Sequence, residues 1–504
     1  MAPPRLNRPL WLEQAESAYP SLTEDLEVDV AVIGAGITGV TTAYQLKRAG
    51  KTVALVEATA IGHGATGYTT AKLTVGHRLV YADLVEAYDV ETARRYARSN
   101  QEAIEQVAEI VREHAIECDF ERAANYVYAE SPGCVPELER ELDAARAAGI
   151  ASELTTETEL PYPVAAAIRV AGQAQLHPWK YLAALARTID GDGSHVFELT
   201  RATNVRSGSP CVVETPTGRI RATHVIVATQ LPFLDRGLFF ARAHPAKSYV
   251  VAAAVAADDA PRGMYISVDA PTRSVRSTAG DKGRRILLVG GEGHKPGDEQ
   301  DMRRRYKRLE AFLADRFGAS AEYRWSTHDY SPIDLLPYIG RLRPGEEHIF
   351  VATGFAKWGM TKGTLAASIL SDTVLGRSNE YADLYDTDRI NPRQSGRRLA
   401  TENGQVAKFF FRDRVRPRPG EDEVEALAPG EGCVARIGGR HYAVSRAEDG
   451  ELLTLSARCT HLGCIVGWNA ADRAWECPCH GSRFASDGTV VQGPATQDLP
   501  RRNW

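Results

Sequence analysis

The stretch "DVAVIGAGITGVTTAYQLKRAGKTVALVE", residues 29–57, decides how the first two thirds of the chain are read. "DVAVI" is an apolar run of strand length. "GAGITG" follows at once, then a helical pattern, then a second strand that ends on Glu57. This is a β-turn-α-β unit with Gly34, Gly36 and Gly39 in the G-x-G-x-x-G positions, and Ala35, Ile37 and Thr38 filling the turn between them. The first glycine permits the tight turn, the second lets a pyrophosphate approach the backbone, and the third lets the helix pack on the strand. The helix N-terminus offers free N–H groups and a positive dipole end to phosphates. Glu57 stands 23 residues after Gly34, where a carboxylate accepts hydrogen bonds from ribose hydroxyls. Together these features predict a Rossmann-like α/β dinucleotide-binding domain.

The glycine pattern does not choose between NAD and FAD. Three later segments favour FAD. "GHGATGYTTAKL" (62–73) is a small-residue loop soon after Glu57, with Ala65, Thr66 and Thr69 as binding candidates. "THVIVATQLP" (223–232) reads as a buried strand. "HIFVATGFAKWGMTKGTLAASIL" (348–370) reads as a strand, a glycine-rich turn at Gly354 and a helix start at Gly359, Met360, Thr361 and Gly363. That helix would aim its N-terminus at a ligand and favour negative charge there. "GGEGHKPG" (290–297) contains Pro296 and leads into no apolar helical pattern, which argues against a second nucleotide site.

With 504 residues, 43% hydrophobic and 25% charged, the chain exceeds one compact core, so two or three domains are expected. The net charge of -5 lacks the basic excess of a nucleic-acid binder. The opening "MAPPRLNRPLWLEQAESAYP" has no apolar run of signal-peptide type, and no stretch reaches the roughly 20 apolar residues of a spanning helix. A soluble, cytoplasmic protein without a membrane span is expected. Of eight cysteines, Cys118, Cys134, Cys211 and Cys433 are scattered, and four fall in one short window near the end. Such clustering points to a metal or redox site rather than to a disulfide scaffold.

That window holds "CTHLGC" (459–464) and "ECPCHGSRF" (476–484). Cys459-x-His461 and Cys477-x-x-His480 could bind zinc tetrahedrally. They also match the Rieske [2Fe-2S] pattern, in which two cysteines hold one iron and two histidines the other. Each loop pairs one Cys with one His, and the loops are Gly- and Pro-rich, as wrapping a cluster requires.

Residues 29–58, the "GATG" loop, "QLHPWKYLAAL" (175–185) and "DLLPYIG" (334–340) followed by "VATGFAKWGMTKG" resemble the glycine oxidase/D-amino-acid oxidase (DAO) family of flavoproteins over roughly residues 28–378. The resemblance implies an FAD-binding domain (segments about 28–80, 150–235 and 325–378) with an interleaved α+β substrate domain (about 81–149 and 236–324), and oxidation of a C–N bond in an amine or amino acid. Some relatives attach flavin through a His; Tyr68 stands at the matching position, so non-covalent FAD is expected. Residues 379–420, rich in Arg and Pro, read as a linker, with "VAKFFF" (406–411) as an anchor onto the flavin domain. Residues 421–504 read as an all-β unit that resembles cytochrome bc-type Rieske domains, with "GPAT" (493–496) like their proline loop. This resemblance implies Cys459 and Cys477 on one iron, His461 and His480 at the surface on the other, a Cys464–Cys479 disulfide held by burial even in a reducing compartment, and a Ser482 hydroxyl bonded to a sulfide. Phe484 replaces a tyrosine donor, which implies a potential below that of bc-type centres and above that of ferredoxins.

A two-electron flavin beside a one-electron cluster suits substrate oxidation at FAD, relay through the cluster and delivery to a one-electron acceptor protein. The alternative is a redox-partner flavoprotein whose cluster feeds or drains FAD without amine oxidation. Lys357, Trp358, His328 and Tyr249 are the catalytic candidates, each with a packing role as the competing explanation. Arg276 could clamp a substrate carboxylate, against a surface role. "RRRYKR" (303–308) reads as a solvated helix face.

Overall fold

Strand β1 (Leu26–Ile33) is buried on both faces. Val30 and Val32 enter one core with Val40 and Ala43 of helix α1 (Ile37–Arg48), while Ala31 and Ile33 enter another. A strand covered on both faces must be apolar at consecutive positions, which is why "VAVI" shows no alternation. The chain continues through β2 (Val53–Val56), β3 (His195–Phe197), β4 (Arg219–Val227), β5 (Ala243–Ala256), β6 (Arg284–His294), β7 (Tyr323–Pro332), β8 (Tyr338–Arg341) and β9 (Ile349–Thr353) to helices α2 (Gly359–Val374) and α3 (Pro392–Val415). This is a computed structural model, and it describes residues 5–6, 8–13, 15–297, 301–389 and 391–503. Residues 1–4, 7 and 14 of the opening segment and Ile390 of the Arg/Pro-rich stretch lie outside the described residues.

Among the described residues two large sheets form. In the first, β9, β4, β1, β2 and β3 are neighbouring parallel strands, with β8 antiparallel at the edge. The second is ten-stranded and largely antiparallel, with β7, β5 and β6 side by side. The chain crosses between the sheets more often than the predicted segments allow. Ala166–Gln175, expected in the FAD-binding part, pairs with Glu121–Ala129 in the second sheet, and β7 also lies there. The helix Val90–Glu113, expected in the substrate part, buries Tyr96, Ile104 and Val107 in the core that covers the parallel sheet.

The predicted linker is largely helical. Proline stands at the first position of α3, where it costs no hydrogen bond. Phe409 enters the C-terminal core, with Val406 and Phe410 packed against it. "VAKFFF" thus anchors onto the cluster-bearing unit as well as the flavin domain: Phe409 enters the C-terminal core and its ring edge also lies against Gly297 of the flavin half. That unit has a three-stranded sheet (Gly432–Ile437, Arg440–Arg446, Leu452–Ser456) and a four-stranded one (Gly467–Asn469, Ala474–Glu476, Arg483–Ala485, Val490–Gln492). No helix among the described residues is long and apolar enough to cross a membrane.

Candidate active site and cluster site

One cavity of about 1020 Å³ opens where the two large sheets meet. Gly34, Gly36, Ile37, Thr38, Glu57, Ala65, Thr66, Thr69, Gly359 and Met360 line it, as do all four catalytic candidates. Gly34 adopts φ +102°, and a Cβ there would meet Ala228 O at 2.6 Å. Glu57 accepts from Ala35 N at 2.9 Å and Thr59 N at 3.0 Å. Five predicted binding residues do not reach the cavity surface: Ala35, Gly39, Gly354, Thr361 and Gly363. A Cβ on Gly39 would fall 1.8 Å from Gly34 O, and one on Gly363 would fall 2.6 Å from Ile37 Cγ2. These two glycines therefore let backbones pack behind the wall. Gly354 takes φ +80° in the turn before α2, and Thr361 donates to Thr74 O at 3.3 Å.

Ala356 and Lys357 also have positive φ, 51° and 71°. Non-glycine residues held there are strained by about 1 kcal/mol or more each, and the Lys357 N–H that this turn exposes donates to Asp329. Trp358 stacks on His77, ring centroids 4.6 Å apart. The Tyr249 hydroxyl lies 2.9 Å from His294 Nε2. Sequence reading missed His77, Lys72 and Lys362, all of which line the cavity. Burial pushes the ammonium of each of these lysines down to about 7. Lys362 lies within the "GMTKG" motif and could have been found; no local signal marks Lys72 or His77. Arg276 is buried rather than on the surface, and it donates to Thr70 O at 2.8 Å and Ala71 O at 2.9 Å.

The two terminal loops repeat one design. Cys459 N donates to Cys464 O and Gly463 N to Cys459 O, at 2.8 and 2.9 Å; Cys477 N donates to Ser482 O and Gly481 N to Cys477 O, at 2.8 and 3.1 Å. Gly463 and Gly481 stand at equivalent places with φ +75° and +76°, a conformation only glycine adopts freely. Cys464 and Cys479, 15 residues apart, form a disulfide between the loops. The sulfurs of Cys464, Cys477 and Cys479 lie within 4.8 Å of one another, but two of them are spent on that bond. Cys459 and Cys477 are the free pair, close enough to hydrogen-bond one another. The His461 and His480 rings lie 5.0 Å apart, and the buried Nδ1 atom of each has no partner. Two thiols at one end and two unpartnered imidazole nitrogens at the other fit a cluster of the Cys₂His₂ type. Ser482 Oγ is buried, accepts from Ala495 N at 3.1 Å and hydrogen-bonds to Cys459.

The histidine end is not at the surface, contrary to expectation. The His461 side chain is 4% exposed and His480 is buried. Asp235 Oδ1 lies 2.7 Å from His461 Nε2, and Phe240 sits edge-on to both rings at 6.0 and 5.3 Å. These covering residues come from the flavin half of the chain. His328, read as a catalytic candidate, faces both sites. It lines the cavity, and its Nδ1 lies 3.1 Å from Gly481 O. A carbonyl only accepts, so Nδ1 carries the proton; burial holds the ring neutral, its pKa down at about 3. Tyr330 donates to His480 O at 2.8 Å. Below them, Lys247 binds Asp472 at 2.8 Å and also Glu476, and Arg483 reaches both acids. Burial alone would raise the Asp472 carboxyl, but Lys247 and Arg483 outweigh it and hold it well below the usual range. Gly493, Pro494, Ala495 and Thr496 of the predicted proline loop, with Val491 and Gln492 of the strand before it, form part of the cavity wall itself.

The family model for FAD dependent oxidoreductases (DAO) matches residues 29–373, and that for the Rieske [2Fe-2S] domain matches residues 421–502. The chain is 37% identical over 485 residues to the Bacillus subtilis (strain 168) protein YhfW, which is named for a Rieske 2Fe-2S centre; the match covers 96% of this chain and 94% of that one. It is 26% identical to the gamma-glutamylputrescine oxidoreductase of Escherichia coli (strain K12), covering 79% of this chain and 95% of that one. The glycine oxidase of Geobacillus kaustophilus superposes with a TM-score of 0.60 at 20% identity, covering 72% of this chain and all of that one. The glycine-lined cavity and the Cys₂His₂ loops are thus those of an FAD- and [2Fe-2S]-containing oxidoreductase, and the chain belongs to the DAO family of FAD dependent oxidoreductases, with a Rieske domain at its C-terminal end.

Proposed function

We propose that the protein oxidises a C–N bond of a small amine or amino-acid-like substrate at FAD and passes the electrons singly through the cluster to an external one-electron acceptor protein, as a cytoplasmic dehydrogenase rather than an oxidase. One observation carries the reading: the cavity bounded by the glycine turn is closed on another side by the Rieske loop 491–496. The names of the gamma-glutamylputrescine and glycine enzymes support the substrate class. When bound, FAD supplies a two-electron hydride acceptor and the cluster a one-electron carrier.

The chain's own residues supply the rest. Gly34, Gly36, Glu57, Ala65, Thr66 and Thr69 would hold the dinucleotide, and the start of α2 would face the flavin with its dipole. Tyr68, standing where some relatives have the flavin-attaching histidine, supports non-covalent binding. Cys459, Cys477, His461 and His480 would hold the irons. Burial draws the Lys72 and Lys362 ammonium groups down to about 7, which would suit a cavity that must take a proton from an ammonium substrate before hydride transfer. Trp358, fixed against His77, gives the substrate a flat apolar wall.

The test is iron and acid-labile sulfide analysis with an anaerobic screen of amines and amino acids. The expected result is two irons and two sulfides per chain, flavin bleaching by one substrate class, and then a reduced-cluster EPR signal. Flavin that no amine bleaches, but that a cluster reductant reduces, would favour the redox-partner alternative. Peroxide production with zinc in place of iron would overturn both.

A further inference from the structure

The contact between the two halves is more specific than packing requires. Strand β7 carries His328 and Tyr330 on the cluster side, and they bind the carbonyls of Gly481 and His480, two consecutive peptides of the second cluster loop. Approach there is at the steric limit. A Cβ on Gly481 would lie 2.9 Å from Pro245 Cβ and 3.1 Å from Tyr330 Oη. Buried polar atoms are normally satisfied, yet His328 Nε2 has no hydrogen-bond partner, and Glu476 Oε2 stands 3.9 Å away. An apolar residue would pack this position without leaving that nitrogen bare. The histidine is explained by its other nitrogen, which links the cavity wall to the peptide beside a cluster ligand. Phe240 and Asp235 meanwhile cover the histidine pair, so the cluster's histidine end faces the protein's own flavin half.

We propose that His328 and Tyr330 are positioning residues for electron transfer between FAD and the cluster within one chain, holding the His480–Gly481 peptide against the cavity wall. The proposal rests on the relay reading above. Each transfer oxidises the reduced flavin by one electron and reduces one ferric iron to ferrous. Two transfers, each followed by loss of the electron to an external one-electron acceptor protein, remove the pair taken from one substrate. The proton carried by the reduced flavin goes to water.

The test uses holoprotein with its flavin photoreduced anaerobically by a light pulse and a sacrificial donor. Flavin absorbance and freeze-quench EPR of the cluster follow the transfer. Wild-type protein shows first-order cluster reduction independent of protein concentration. Loss of either hydrogen bond is expected to slow it, about threefold in Tyr330→Phe and about tenfold in His328→Leu. His328→Asn, whose amide nitrogen donates from the place of Nδ1, recovers the wild-type rate to within about threefold. Unchanged iron content and EPR line shape after chemical reduction show that the cluster is intact. If His328→Leu loses its cluster, Tyr330→Phe, which differs by one hydroxyl, decides. Rates that scale with protein concentration, or that are equal in all variants, overturn the proposal. Because light and not an amine loads the flavin, failure of the amine screen overturns the proposed substrate and leaves this result independent.

Discussion

Gly363 shows how little room the flavin half leaves at single positions. It lies against the start of α1, where an added Cβ meets Ile37 Cγ2 at 2.6 Å and Thr38 Oγ1 at 2.8 Å. Gly363→Ala is expected to destabilise by about 1–3 kcal/mol through overpacking and to weaken FAD retention, read by thermal melting and flavin content. Lys72 makes a pH prediction. Burial lowers its pKa to about 7, while in the unfolded chain it stays near 10.4. Between these values the unfolded state binds more protons, so this group's contribution to stability rises with pH through that window. Lys72→Met should flatten the rise of Tm from pH 7 to pH 9.5; an unchanged slope would count against a desolvated lysine. Phe484, fully buried beside the cluster loops, offers no donor. Phe484→Tyr should raise the cluster's midpoint potential by roughly 40 mV if the new hydroxyl contributes about 1 kcal/mol to the reduced state, measured by redox titration.

At the scale of elements, α3 is the clearest divergence from the sequence reading. "TDRINPRQSGRR" and "RDRVRPRPG" look like linker because Arg, Pro and Gly dominate. The prolines fall outside the helix or at its first turn, so the 24 residues from Pro392 to Val415 are free to coil. Their stability comes from Phe409 in the Rieske core and from Arg414, which donates to Gly463 O at 2.8 Å. Both are long-range contacts that composition does not reveal. Phe409→Ala is expected to cost the Rieske domain about 3–5 kcal/mol, visible as an earlier loss of cluster absorbance on heating while the flavin signal holds. The cluster loops behave in the opposite way. Cysteine, histidine and glycine spacing within two short segments specified them, because ligand geometry and the left-handed turn are local requirements.

For the whole molecule, the buried ion network is the joint between the halves. Lys247 comes from the flavin half, Asp472, Glu476 and Arg483 from the Rieske domain, and all are nearly inaccessible to solvent. Removing one partner of a buried pair typically costs about 3–5 kcal/mol. Lys247→Met should therefore loosen the docked domain, read as faster protease cleavage within 379–420 and a larger radius of gyration by X-ray scattering. Unchanged proteolysis would show that α3 and the cluster loops hold the domain without it.

The sequence by itself determined the chemistry: a glycine turn with a terminal acid for a dinucleotide, later glycine-rich segments that favour FAD, and paired Cys-His loops for the cluster. Both are encoded by residue type at short spacing, where backbone conformation and ligand identity are settled within a few residues. Only the tertiary structure decided how the two centres face each other. That Asp235 and Phe240 cover the cluster histidines, that the proline loop walls the flavin cavity, and that His328 touches Gly481 across 153 positions depends on how sheets and domains pack, and burial of surface so far apart in the chain leaves no periodic or local trace in its order of residues.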